Sequence, residues 1–158
     1  MSEARDFSTR DALTGLILIL FRVNNLTLSW GDKLVAPFGL TSARWQILGA
    51  IVFAERPQPV SWLARDLGAN RQNVQRIVND LHKEGLVVFA PNPHHRRAQL
   101  VLLTEKGQQA YAAAVASYNP KADILAEGLS EADLEAAHRV MVVLRNKLER
   151  ETDAEERG

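Results

Sequence analysis

The stretch from Ser61 to Gly85 constrains this chain more than any other. Asn70 can accept first-turn N–H groups and Gly85 can supply a left-handed stop, so together they bracket a helix over Arg71–Glu84. Inside it Val74, Ile77, Val78 and Leu81 recur at helical spacing and fall on one narrow face. Just upstream, Ser61 can cap a short helix, Trp62 to Leu67, that ends at Gly68. Two helices joined by so brief a turn are a helix-turn-helix candidate. Downstream, Leu86–Phe89 and Gln99–Leu103 read as strands flanking the polar loop Asn92–Arg97, a β-hairpin.

The face opposite the apolar stripe holds Gln72, Arg76, Asn79 and Lys83, flanked by Arg71, Asn73 and Gln75. Arg pairs with guanine edges, and Asn or Gln with adenine edges, through two hydrogen bonds each. Carboxylates enter this helix only at Asp80 and Glu84, near its C-terminal end. The N-terminal half, which enters the major groove in helix-turn-helix docking, has none. A plain solvated helix is the competing reading of these residues alone. The hairpin loop adds His94, His95, Arg96 and Arg97 beside it, and arginine is favoured in the negative potential of a minor groove. The chain as a whole has net charge zero, yet Arg56–Lys106 holds eight basic residues against four acidic ones. Such a basic middle suits a phosphate-bearing partner.

The adjacent His94 and His95 point in different directions, only His82 and His138 are left to join them, and there is no cysteine. No metal, cofactor, disulfide or thiol-based sensing is expected. No glycine-rich phosphate loop, His-Glu-x-x-His or Gly-x-Ser-x-Gly arrangement is present, so no enzyme is expected.

A long apolar helix is expected over about Asp11–Leu34, crowded by Leu13, Leu16, Ile17, Leu20, Val23, Leu26 and Leu28, and broken at Pro37-Phe38-Gly39. Thr41 can cap a second helix to about Ala54, with Leu40 and Trp45 at hydrophobic-staple positions. Thr104 can cap a helix from Glu105 to about Tyr118, which Asn119-Pro120 should bend or interrupt. Ser130 and Asp133 form a partial capping box for a last helix to about Arg150, with Leu134, Ala137, Met141, Leu144 and Leu148 on one face. Residues 151–158 read as a charged, frayed tail. The longest apolar run, Leu16–Phe21, is too short to span a bilayer, and Met1–Asp6 does not read as a signal peptide. A cytoplasmic protein without a membrane partner is expected.

Four collinear stretches resemble the MarR (multiple antibiotic resistance regulator) family. They are Gly39–Leu48; Leu63–Gly68; Arg71, Val74 and Arg76 with Leu81–Leu86; and Arg97 with Leu103–Gly107. The resemblance implies a mainly α fold with a small β-hairpin wing (α+β). A winged helix-turn-helix over residues 37–104 would be flanked by dimerisation helices in 1–36 and 105–150. It implies a homodimeric repressor that binds double-stranded DNA at a near-palindromic operator. Arg71, Gln72, Asn73, Gln75, Arg76, Asn79, Lys83, His95, Arg96 and Arg97 are the expected DNA-binding residues, with Ser42, Ser61 and Lys83 as phosphate contacts. It also implies release by a small aromatic or amphipathic effector, for which Trp30, Trp45 and Arg22, a cation that could pair an anionic ligand, are candidate pocket residues, although Trp45 reads more readily as core. One position departs from the family pattern: His95 stands where an Asp usually precedes the wing arginine. A carboxylate would hold Arg97 by a charge-assisted bond, which neutral histidine can do only weakly and protonated histidine opposes.

Overall fold

In the computed structural model, residues 8–155 are described. Their order is α1 (Thr9–Val35), α2 (Ser42–Phe53), β1 (Gln58–Pro59), α3 (Val60–Asp66), α4 (Arg71–Lys83), β2 (Val87–Ala90), β3 (Leu100–Leu103), α5 (Glu105–Ala126) and α6 (Glu131–Glu155). The fold is therefore mostly helical with one small antiparallel sheet, as the winged-helix expectation requires. The chain divides into two units, with the boundary between Asn119 and Pro120.

The core of the first unit grows around α4. Its stripe Val74, Ile77, Val78 and Leu81 is buried together with Leu48 of α2, Leu63 of α3, Val87 of β2 and Val101 of β3. Burial of each such side chain contributes about 1.5–3 kcal/mol. The helix begins as expected, with Asn70 Oδ1 accepting from the N–H groups of Gln72 and Asn73 at 2.9 and 3.1 Å. Gly85, at φ +75°, turns the chain into β2.

The sheet has order β1-β3-β2, with Val87 opposite Leu103 and Ala90 opposite Leu100. Strand β1 is an addition to the expected hairpin. Gln58 pairs with Val101 and Pro59 with Leu100, so two residues too short and too proline-rich to read as a strand are held extended by the hairpin. That pairing also corrects the start of α3. The helix begins at Val60, directly after the paired segment, with Pro59 as its N-cap and no side-chain cap. Ser61 therefore lies inside the first turn and does not cap it.

Helix α1 starts two residues earlier than expected because Ser8 and Asp11 form a capping box across its first turn. An 18-residue window within Thr9–Phe38 has a mean hydropathy of 1.5, apolar and long enough by composition to cross a membrane. Length and composition alone give this result, which the core helix of a soluble protein shares, and Arg22, Asn24 and Asn25 interrupt the apolar run. Leu18, Ile19, Phe21, Val23 and Leu26 are exposed on it. Its C-terminal end is tied to α2. The Ser42 N–H donates to Asp32 Oδ1 at 2.6 Å and Ser42 Oγ donates to the Leu28 carbonyl at 2.7 Å. A Cβ at Gly31 would collide with that hydroxyl.

Two further expectations change. Helix α5 does not end at Pro120 but runs on to Ala126, although Pro120 has no N–H to offer the preceding turn. In the second unit, Ser130 Oγ accepts from the Asp133 N–H as expected, but α6 continues to Glu155. Residues 151–155 are thus helical, not frayed; Met1–Asp6 and residues 156–158 lie outside the described residues.

The junction of α4, the sheet and α5 is held by backbone contact. Thr104 Oγ1 donates to the Gly85 carbonyl at 2.6 Å and accepts from the Gly107 N–H at 3.0 Å. Gly107 itself packs so closely on the Leu86 carbonyl that any Cβ would overlap that oxygen. Because the obstacle is backbone, it cannot rotate away. Gly107→Ala is expected to lower stability by about 2 kcal/mol or more, read as a reduced urea midpoint at unchanged m-value.

Candidate nucleic-acid interface

The outward face of α4 is polar because its inward face is wholly apolar. Arg71, Gln72, Asn73, Arg76, Asn79 and Lys83 are exposed and Gln75 is half-buried. Several of these side chains hold one another along the helix. Gln75 Nε2 donates to Asn79 Oδ1 at 3.0 Å, and Arg76 donates to Asn73 Oδ1 at 3.0 Å. The same guanidinium lies 3.8 Å from Asp80, an exposed i,i+4 pair of small energetic weight.

A polar cleft of about 200 Å³ lies between this face, the start of α3 and the β2–β3 loop. Ser61, Arg71, Gln75, Asn79 and Arg97 line it, so the fold gathers five expected contact residues from three separate elements. Two guanidinium groups and three neutral donors around one cleft match the requirements of a phosphate or a base edge. Arg96 and His95 are exposed on the wing loop. Ser42 does not belong with them, and its expected phosphate contact is corrected. It is only 5% exposed, and its hydroxyl and N–H are both spent on α1.

The wing is ordered by a residue that the sequence reading passed over. Asn92 Oδ1 accepts from the His94 N–H at 3.0 Å, while Asn92 Nδ2 donates to the Ala98 carbonyl at 2.9 Å. Together with the Ala98 N–H bond to the His95 carbonyl at 3.0 Å, this closes the loop around His95. The Asn-Pro dipeptide at 92–93 was the available signal. The Arg97 side chain makes no ion pair among the described residues, in keeping with the missing carboxylate at position 95.

Two more positioning contacts were not anticipated. His82 Nδ1 lies 3.0 Å from the Val87 carbonyl, which can only accept, so Nδ1 carries the proton. The same ring meets Phe89 edge-on at 5.0 Å, fixing the wing strand against the back of α4. Arg44 of α2 makes a two-pronged bond to Glu84, at 3.0 and 2.8 Å, and donates to the Gly39 carbonyl at 3.1 Å. This clamps the C-terminal end of α4 to the start of α2.

A second, larger cavity of about 730 Å³ opens among α2, the end of α3 and α5. Of the three expected pocket residues it takes only Trp45. Trp30 stands behind the wall, edge-on to Tyr118 at 6.0 Å, and Tyr118 in turn meets Trp45 at 5.5 Å. Arg22 is exposed on α1 and does not line the cavity. Eight residues of helix separate it from Trp30, about 12 Å along the axis.

A family model described as MarR family matches residues 38–98, from the turn before α2 through the wing. The chain belongs to the MarR family. Regulators of this family bind DNA and dimerise, and the protein is a DNA-binding transcription regulator and not an enzyme. An uncharacterised protein of Mycobacterium tuberculosis, Rv2011c, is 34% identical over 139 residues, covering 85% of this chain and 96% of its own. The transcriptional activatory protein BadR of Rhodopseudomonas palustris is 31% identical over 101 residues, covering 61% of this chain and 56% of its own. The crystal structure of CouR from Rhodococcus jostii, bound to p-coumaroyl-CoA, shares the fold with a TM-score of 0.72 at 22% identity, covering 80% of this chain and 88% of that one.

Removing the Asn92 side chain should loosen the wing of this MarR-family chain without touching the core. In Asn92→Ala, amide exchange at His94 is expected to accelerate about fivefold, the equivalent of one ordinary hydrogen bond. Exchange at Val78 serves as the internal reference, because Val78 is fully buried in the core.

Proposed function

We propose that this regulator is a cytoplasmic homodimer that represses transcription from a near-palindromic operator and is released by a small effector. The observation that carries the reading is the cleft where Ser61, Arg71, Gln75, Asn79 and Arg97 converge beside the polar face of α4. In this reading α4 enters the major groove, where Gln72, Asn73, Arg76 and Asn79 meet base edges. The wing arginines Arg96 and Arg97 reach the adjacent minor groove, with His95 at the loop, and Lys83 and Ser61 contact phosphate.

The exposed apolar side chains of α1 support the dimer. So, taken separately, do Leu134, Val140, Val143 and Leu148 of α6. Apolar surfaces on this scale are covered in solution by a partner. A second copy, with residues 1–36 and 105–150 as the dimerisation region, is that partner in a DNA-binding family that dimerises. A bilayer is the competing cover for α1 and is distinguished by detergent-free purification as a particle of twice the chain mass.

Two reading helices related by a dimer axis meet successive major grooves. Selection from random DNA is therefore expected to return a near-palindrome with about 10 base pairs between half-site centres. A single asymmetric half-site bound by one chain would overturn the dimeric reading. Arg76→Ala and Gln72→Ala are expected to weaken operator binding by about 1–3 kcal/mol per half-site, with little change in binding to unrelated DNA at matched salt. Arg97→Ala should weaken binding with less effect on which bases are chosen. Parent-like operator affinity in Arg76→Ala would reject the assigned reading face.

BadR is described as an activator, so activation is the second reading of the sign of regulation. A reporter fused to the selected operator separates the two: deletion of the regulator raises expression under repression and lowers it under activation. The effector is assigned to the 730 Å³ cavity, whose walls come from α2 and α3 of the reading head and from α5. CouR, bound to p-coumaroyl-CoA, supports ligand binding as a property available to this fold. An effector acts only through unequal affinity for DNA-competent and incompetent dimers; a hundredfold loss of operator affinity needs about 2.7 kcal/mol of such coupling.

A further inference from the structure

We infer that the cavity among α2, α3 and α5 selects organic cations with an aromatic body over aromatic acids. This rests on the proposal above that the cavity is the effector site, and it assigns the chemical class of the effector.

The argument comes from the lining. Four aromatic residues face the space: Trp45 and Phe53 from α2, Tyr111 and Tyr118 from α5. The one charged side chain among the lining residues is Asp66, at the end of α3, and the lining includes no Lys, Arg or His. The Asp66 carboxylate makes no ion pair among the described residues, so its charge is not already cancelled. Its neighbour Arg65 is directed elsewhere, with the guanidinium 5.1 Å over the ring of Trp62, which is outside the lining. Burial pushes the Tyr111 phenol above its ordinary value of 10.0, so this group stays neutral and offers a hydroxyl.

An aromatic acid entering here would bring its charge toward Asp66 and find no cation to pair with. Arg22, the cation that the sequence offered for an acidic ligand, does not line the space. An ammonium or similar cation meets the opposite field. It gains from the carboxylate and from the electron-rich faces of Trp and Tyr rings, the combination used to bind quaternary ammonium groups. The aromatic body of the ligand would then displace water from the apolar walls at Gly49, Ala50, Leu67 and Val115.

Three probes that share one ring system and differ in charge test this: 1-naphthylmethyltrimethylammonium, its neutral carbon isostere 1-neopentylnaphthalene, and 1-naphthylacetate. Affinities are read by titration calorimetry on the full chain, supported by tryptophan fluorescence, with no DNA present. The cation is expected to bind at least about tenfold more tightly than the acid and more tightly than the neutral isostere. Asp66→Asn should lower the affinity of the cation about tenfold while leaving the neutral isostere unchanged, which also reports that the variant is folded. A Cβ at Gly49 would sit in ordinary contact with Tyr111, 3.5 Å from its ring, so the larger Gly49→Leu should fill the cavity and abolish binding of all three. Equal or tighter binding of the acid to the parent chain overturns the inference whatever the variants do. So does a cation affinity that is indifferent to Asp66→Asn or to Gly49→Leu. If none of the probes binds, the assignment of the cavity as the effector site fails with it. If the cation binds as expected but leaves operator affinity unchanged, the charge preference stands and only its role as the release signal fails.

Discussion

The first unit depends on one buried stripe. Val74, Ile77, Val78 and Leu81 are the common surface on which α2, α3 and the sheet meet. A helix with four apolar residues on one narrow face has a single orientation in which it can be buried. That constraint fixes where Gln72, Arg76 and Asn79 point, because the rotation that hides the stripe turns them outward. Core packing and the chemistry of the outer face are thus one decision, made by the spacing of residues along thirteen positions of α4.

The wing is positioned from the same helix by polar contacts. The Nδ1–H of His82 holds the Val87 carbonyl, the ring braces Phe89, and Thr104 and Gly107 close over Gly85 and Leu86. Arg44 locks the same end of α4 through Glu84. Angle and spacing between helix and wing are therefore set by short-range bonds around residues 82–89. Among the described residues, the hydrogen bonds that close the loop tip carrying His95, Arg96 and Arg97 run within the loop, through Asn92. A rigid base with a locally closed tip suits a probe that must follow the variable width of a groove.

Much of this was legible in the sequence because it is written in local signals. Asn70, Thr41, Thr104 and Ser130 each accept the N–H bond that a capping residue should accept, and Gly68 and Gly85 adopt the positive φ that ends their helices. What was not legible is non-local. Ser61 looked like a cap because the pairing of Gln58 and Pro59 with β3 is invisible from residues 58–62 alone. Ser42 looked like a free hydroxyl because its partners, Leu28 and Asp32, lie 14 and 10 residues away on another helix. The cavity lining is non-local in the same way: Arg22, a candidate by composition, does not line it, whereas Asp66 does.

The tethering of Arg76 has a consequence for discrimination. Its guanidinium is already engaged with Asn73 and lies close to Asp80 on its own helix. If Arg76 reads a base, as proposed, the edge that takes it meets a donor already partly held on its own helix. A correct base offers two acceptors in the guanidinium plane and makes the exchange worthwhile, whereas an incorrect one leaves the side chain folded back on the helix. The helix thus carries its own internal competitor for the arginine. In the proposed reading that competitor is weak, so a base edge offering two acceptors outweighs it easily and one offering none does not.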